Sequence, residues 1–317
     1  MSTALIFSGQ GAQSVGMGKD LAEKYPVCAE LYAKADDVIG YELSKICFEG
    51  PDEDLTKSNH CQPAIFVTSV ACAKALESEG TAPDAVPPSP PGLWRASAMA
   101  GLSLGEWTAL HMAGVLSFED TVKVLEARGR FMQEACDEQA GGMVSIIGLS
   151  REQLDIICTE TGVTVANLNS SAQTVLSGTK AGIGKAAALA TEAGAKRAII
   201  LNVAGAFHSP LMASAGAKLD EMLAGVTFNE PAVPVLSNVK GEPHAGADAI
   251  RANMVRQVTD SVLWLSCVEW MQAQGVDRYV ECGPGKVLTG LIKRIAKGAT
   301  LENVNDVASV ERALRPA

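Results

Sequence analysis

Ser103 lies in Gly101-Leu102-Ser103-Leu104-Gly105, and this G-x-S-x-G spacing is where the chain is best equipped for chemistry. Such a pentapeptide closes a strand, turns sharply and opens a helix, so that the serine oxygen projects from a strained backbone into a cleft. The flanking glycines keep side chains out of the crowded turn. A serine hydroxyl is a poor nucleophile until a base accepts its proton, and an imidazole is the usual base. The chain offers four histidines. His60 precedes an apolar helix. His111 falls two turns beyond Ser103 and points away from the cleft. His244 lies in a Gly/Pro loop and reads as solvent-exposed. His208 occupies Val203-Ala204-Gly205-Ala206-Phe207-His208-Ser209, just after a strand, and the order serine then histidine suits an elbow enzyme. On spacing alone His208 reads either as the base or as an ordinary loop residue.

Elements that could position these groups alternate between strand-like and helix-like, which indicates an α/β fold. Residues 3–7 form an apolar strand that runs into the glycine-rich loop Ser8-Gly9-Gln10-Gly11-Ala12-Gln13. Residues 63–77 read as an apolar helix, and 80–95, with five prolines, as an exposed loop. Residues 98–100 lead into the elbow, and helices are expected at 106–113 and 118–137, the second capped by Ser117. From 138 to 204 the order is strand, helix, two strands, helix, strand. Ser150 caps the first of these helices and Gly162 stops it. This is the ferredoxin-like β-α-β-β-α-β pattern. Beyond it the sequence predicts a strand near 233–238, a helix over 261–274, a strand at 278–281 and a closing helix after Gly285.

Bulk properties narrow the class. Across 317 residues, 47% hydrophobic and 20% charged content suits a globular enzyme. A net charge of -10 disfavours general nucleic-acid binding and attraction to anionic membranes. Eight cysteines, at 28, 47, 61, 72, 136, 158, 267 and 282, include no C-x-x-C pair and no zinc spacing. Several lie in apolar runs such as VTSVACAKAL and read as small buried hydrophobes. That usage fits a reducing compartment. No apolar stretch is long enough for a membrane span, and the first residues do not form a signal peptide. The expected location is cytoplasmic, or an organelle stroma or matrix after loss of a transit peptide.

GQGAQ at 9–13, GLSLGE at 101–106, ARG at 127–129, AFHSPLM at 206–212 and CGPGKVLTGL at 282–291 together resemble the malonyl-CoA:acyl carrier protein transacylases, collinearly over essentially the whole chain. Many members carry histidine before the nucleophile where this chain has Leu102, but that histidine is not the family's base. The resemblance implies that Ser103 is malonylated and that His208 is general base and then general acid. It also implies that the backbone carbonyl of Gln257, rather than an aspartate, orients the imidazole. The oxyanion would be held by the backbone N–H groups of Gln10 and Leu104. Arg128 would bind the malonyl carboxylate bidentately, which lysine could not reproduce. Phe207 resembles the AFH form associated with malonyl over methylmalonyl units. Read without the resemblance, Gln257 is an ordinary helix-end residue and Arg128 a surface arginine.

The implied fold is a hydrolase-like α/β domain with a parallel sheet, spanning 1–137 and 205–317, with an inserted ferredoxin-like subdomain at 138–204. The implied reaction is ping-pong transfer of malonyl from malonyl-CoA to the phosphopantetheine thiol of acyl carrier protein, supplying fatty acid elongation. No cofactor or metal is expected, malonyl-CoA being a substrate, and the enzyme is expected to be a monomer. An acidic carrier would need basic docking residues. Lys286, Lys293, Arg294 and Lys297 in the closing helix, or Lys196 and Arg197 on the insertion, are candidates, with a plain solvated helix face as the competing reading. The alternatives are a trans-acting polyketide acyltransferase, a serine thioesterase or esterase, or a carrier-binding module with a silent site.

Overall fold

A computed structural model describes residues 2–79 and 96–314. The proline-rich loop expected at 80–95 lies outside the described residues. Among those described, eight strands form two sheets: β1 (Ser2–Phe7), β2 (Ala96–Gly101), β3 (Gly141–Ile147), β4 (Thr164–Ser170), β5 (Gln173–Thr179), β6 (Arg197–Ile200), β7 (Val276–Cys282) and β8 (Thr300–Val304).

The first sheet is parallel, in the order β2-β1-β7-β8. β1, β2 and β7 are largely buried on both faces, as parallel strands covered by helices must be, while the edge strand β8 is half-buried. Along β1, Leu5 and Phe7 join one apolar core while Ala4 and Ile6 join another on the opposite face. The helix Ser58–Glu79 packs within the larger core and is buried nearly all round. It starts five residues before the stretch read from sequence, so His60 and Cys61 lie in its first turn and Pro63 within it. Proline supplies no N–H to the carbonyl of Asn59, and the Tyr41 hydroxyl donates to that carbonyl instead at 3.3 Å.

The second sheet is antiparallel, in the order β4-β5-β3-β6. With helices Arg151–Thr161 and Lys180–Glu192 it makes the ferredoxin-like unit expected from the sequence. Ser150 forms a capping box with Gln153, and Gly162 ends the first helix in a left-handed conformation. Val144, Ile146 and Leu176 face these helices, whereas Met143, Ser145 and Val175 face a cleft against the parallel sheet. This is the two-residue alternation of a half-buried sheet. Backbone hydrogen bonds from Val262 N–H to Ala166 and from Leu168 N–H to Val262 tie β4 to the segment after Gln257.

Three expectations need correction. Residues 233–238 form no named strand; Val235 makes only an isolated bridge to Met99, and the neighbouring Pro234 contributes a carbonyl but no donor. The helix predicted from 261 begins at Trp264, because Ser261 and Val262 are engaged with β4 instead. The helix Val287–Ile295 does not close the chain: β8 and helix Val307–Ala313 follow. Among the described residues, no helix is long and apolar enough to cross a membrane. No group of three or more His, Cys, Asp or Glu there could hold a metal ion. All eight cysteines are free and seven are buried.

Candidate active site

Ser103 sits between the end of β2 and the helix Leu104–Met112, with φ 54° and ψ -103°. For a residue with a Cβ such a backbone is strained, at a cost of about 1–3 kcal/mol, and must be held by its surroundings. The glycines explain how the turn can be so tight. A Cβ on Gly101 would lie 2.0 Å from the Gly105 carbonyl carbon, and one on Gly105 would lie 2.1 Å from the Phe7 oxygen. The Ser103 N–H donates to Asn238 Oδ1 at 2.6 Å, and Asn238 Nδ2 donates to the Gly101 carbonyl at 2.8 Å. Asn238 thus clamps the turn from both sides.

His208 reaches the serine from 105 residues away, its Nε2 lying 2.9 Å from Ser103 Oγ. Its Nδ1 is 2.7 Å from the Gln257 carbonyl. A carbonyl only accepts, so Nδ1 carries the hydrogen and Nε2 is left with a lone pair facing the hydroxyl. Burial, reinforced by the charge of Arg128, lowers the imidazole to about 4. It is therefore a neutral, available base at physiological pH. His208 also has positive φ, 56°. The other histidines stand elsewhere. His60 Nδ1 faces the Asp54 carbonyl, and His111 packs on Phe66 and Phe118. His244 corrects the expectation of solvent exposure: its side chain is fully buried and bonded to Glu106 at 2.8 Å.

Arg128 projects from the helix Phe118–Glu138 into the interior and is 1% exposed, so it is not the surface arginine that spacing alone favours. One terminal nitrogen, Nη1, donates to Gln62 Oε1 at 2.7 Å. The other, Nη2, lies 3.1 Å from both Ser103 Oγ and Gln257 Oε1. Its Nε is buried with no hydrogen-bond partner among the described residues. Burial pulls the guanidinium down to about 10 while the Glu106 charge opposes this, so Arg128 is cationic at neutral pH.

A cleft of about 520 Å³ opens onto Ser103 and His208. Gln10, Leu102, Met132 and Phe207 line it from the parallel-sheet side, and Met143, Asn167 and Val175 from the antiparallel sheet. Gln10 is in the loop after β1, which presses on the elbow: a Cβ on Gly9 would come within 2.6 Å of the Leu102 carbonyl. Leu104 is the first residue of its helix, where a backbone N–H has no intrahelical acceptor. Of the basic candidates, Lys286 and Arg294 line the cleft, and Lys293 borders an adjoining groove. Lys196, Arg197 and Lys297 are exposed but not part of the cleft wall.

Sequence reasoning missed Gln62, Asn238, Glu106, His244 and Asn253, all buried and polar. Only Glu106 carried a signal, as a carboxylate in the otherwise apolar run Leu104-Gly105-Glu106-Trp107.

A strained serine at the carboxyl end of a parallel strand, paired with a neutral imidazole and a buried cation, is equipped for acyl transfer. The chain belongs to the acyl transferase domain family, whose model matches residues 4–313. It is 42% identical to the malonyl CoA-acyl carrier protein transacylase of Escherichia coli (strain K12) over 315 residues, 98% of each chain. An acyl carrier protein S-malonyltransferase from Vibrio cholerae O1 biovar eltor matches with a TM-score of 0.92 and 40% identity, covering 99% of this chain and 100% of that one. A malonyl-transacylase in complex with its type II PKS acyl-carrier protein matches with a TM-score of 0.92 and 40% identity, covering 99% of both chains.

Proposed function

We propose that this chain is a malonyl-CoA:acyl carrier protein transacylase that carries malonyl on Ser103 between two thiols. The observation that carries the reading is the contact of one serine oxygen with both His208 Nε2 at 2.9 Å and Arg128 Nη2 at 3.1 Å. The first partner makes the oxygen nucleophilic. The second places a cation within reach of an acyl group's far end.

In the first half-reaction His208 accepts the Ser103 proton as Oγ attacks the thioester carbonyl. The Leu104 and Gln10 N–H groups stabilise the oxyanion, each worth about 3 kcal/mol in such sites. His208 then returns the proton to the departing coenzyme A sulfur. The second half-reaction runs the same steps in reverse order, with the carrier protein thiol as nucleophile. Throughout, the malonyl carboxylate pairs with Arg128, which has an unpartnered Nε to offer. An acetyl group would leave this buried cation unpaired, so it is disfavoured twice over. Phe207 beside the base narrows the space for a branched acyl chain.

The carrier protein supplies fatty acid elongation in this reading. The solved relative bound to a type II PKS carrier supports a second destination, polyketide synthesis. Incubation with labelled malonyl-CoA tests both. Label should bind Ser103, be absent from Ser103→Ala, and chase onto a fatty-acid or a polyketide carrier protein. Label recovered only as free malonate would make the protein a thioesterase instead.

A further inference from the structure

Glu106 takes no part in the reaction just described and does not line the cleft, yet its fully buried carboxylate is held by three donors. Oε1 accepts from His244 Nε2 at 2.8 Å. Oε2 accepts from the Asn238 N–H at 3.1 Å and from Gln257 Nε2 at 2.6 Å. Behind His244, Asn253 Nδ2 lies 3.3 Å from Nδ1. An amide nitrogen donates, so Nδ1 accepts and Nε2 carries the hydrogen given to Glu106.

The two ends of the Gln257 amide differ chemically, and Glu106 decides which way they point. Gln257 Nε2 donates to Glu106 and, at 3.0 Å, to the Ser103 carbonyl. With both acceptors on the nitrogen side, Oε1 must face Arg128 Nη2. We infer that Glu106 is a positioning residue for acyl-group selection. By holding the Gln257 amide nitrogen it keeps the amide oxygen on Arg128, and so fixes the guanidinium beside Ser103; His244, backed by Asn253, holds Glu106 in turn. The inference rests on the malonyl-transfer reading above and adds a specificity-setting chain that touches neither substrate nor reacting atoms.

A simpler role for the same carboxylate is that of a buried countercharge to Arg128, and the two roles predict opposite effects. Removing a countercharge leaves the arginine's field less compensated and tightens malonyl binding. Removing a positioning group lets the Gln257 amide turn, sets donor against donor at Arg128, and loosens malonyl binding.

The experiment uses the full chain with Glu106→Gln, near in shape, and His244→Leu, which removes only the donor behind Glu106. Malonyl and acetyl transfer from their coenzyme A thioesters to carrier protein are measured alongside wild type. For Glu106→Gln, the malonyl KM should rise about 10- to 100-fold and the malonyl-to-acetyl ratio of kcat/KM should fall by a similar factor. His244→Leu should move both the same way by about 3- to 10-fold. A partly misfolded preparation lowers kcat for both substrates and leaves KM and the ratio unchanged, so His244→Leu decides if Glu106→Gln folds poorly. An unmoved ratio in either folded variant, or a malonyl KM that falls, overturns the inference. Wild type that transfers no malonyl overturns the functional reading itself, a separate result.

Discussion

The two sheets are built by opposite rules. In the parallel sheet β1, β2 and β7 are sealed on both faces, and the groups that meet Ser103 are held by buried bonds spanning much of the chain, such as those from His208 and Gln257. The antiparallel sheet is sealed by helices on one face and turns the other to the cleft, where Met143, Ser145 and Val175 stand. Reacting atoms must be held to fractions of an ångström, which packing on every side provides. A wall that admits a long thioester and then a protein partner needs a wet, adaptable surface. Chemistry and admission are thus assigned to different layers of one molecule.

That assignment can be broken first at Arg128. Arg128→Ala should reduce malonyl kcat/KM by about 10²- to 10³-fold and acetyl transfer far less, because one partner of a buried charge-assisted pair is lost. Equal loss with both substrates would make Arg128 a structural residue and weaken the contrast. A pH series sharpens the same side. Malonyl kcat/KM should fall as pH drops through about 4, where His208 takes up a proton and ceases to be a base. It should fall again above about 10, where Arg128 loses its charge and its hold on the carboxylate. A single acid limb near the ordinary histidine value, 6.5, would show that burial does not govern the base. The smallest effect belongs to the rim. Lys293→Glu, in the groove beside the cleft, should raise the KM for carrier protein about 3- to 10-fold at low salt, shrink toward no effect at high salt, and leave malonyl-CoA acylation of Ser103 unchanged. An effect as large as that of Arg128→Ala would erase the distinction between layers.

How much of this was legible in the sequence divides along similar lines. Ser103 could be read because the elbow is local: Gly101 and Gly105 are demanded by contacts within the turn and with the adjacent β1. The ferredoxin-like unit could be read because signals such as Ser150 and Gly162 stand at its own helix ends. Arg128 and Gln257 acquired roles only through the resemblance, since nothing local distinguishes a buried arginine from a surface one. His244 was misread because a Gly/Pro loop ordinarily faces solvent, while the carboxylate that buries it lies 138 residues earlier. The span 233–238 looked like a strand by its apolar pattern, but with Pro234 offering no donor it makes only isolated bridges, Val235 to Met99 and Leu236 to Pro243.

Segment 257–262 has its own consequence for anyone building chimaeras. Its first residue supplies the carbonyl that orients the His208 imidazole, and its last is laddered to Ala166 and Leu168 on β4. Exchanging the insertion between relatives by cutting only where the chain enters and leaves it would separate β4 from the strip it is stitched to. A working graft needs two pieces of sequence, the insertion and this downstream hexapeptide, moved together as one cassette.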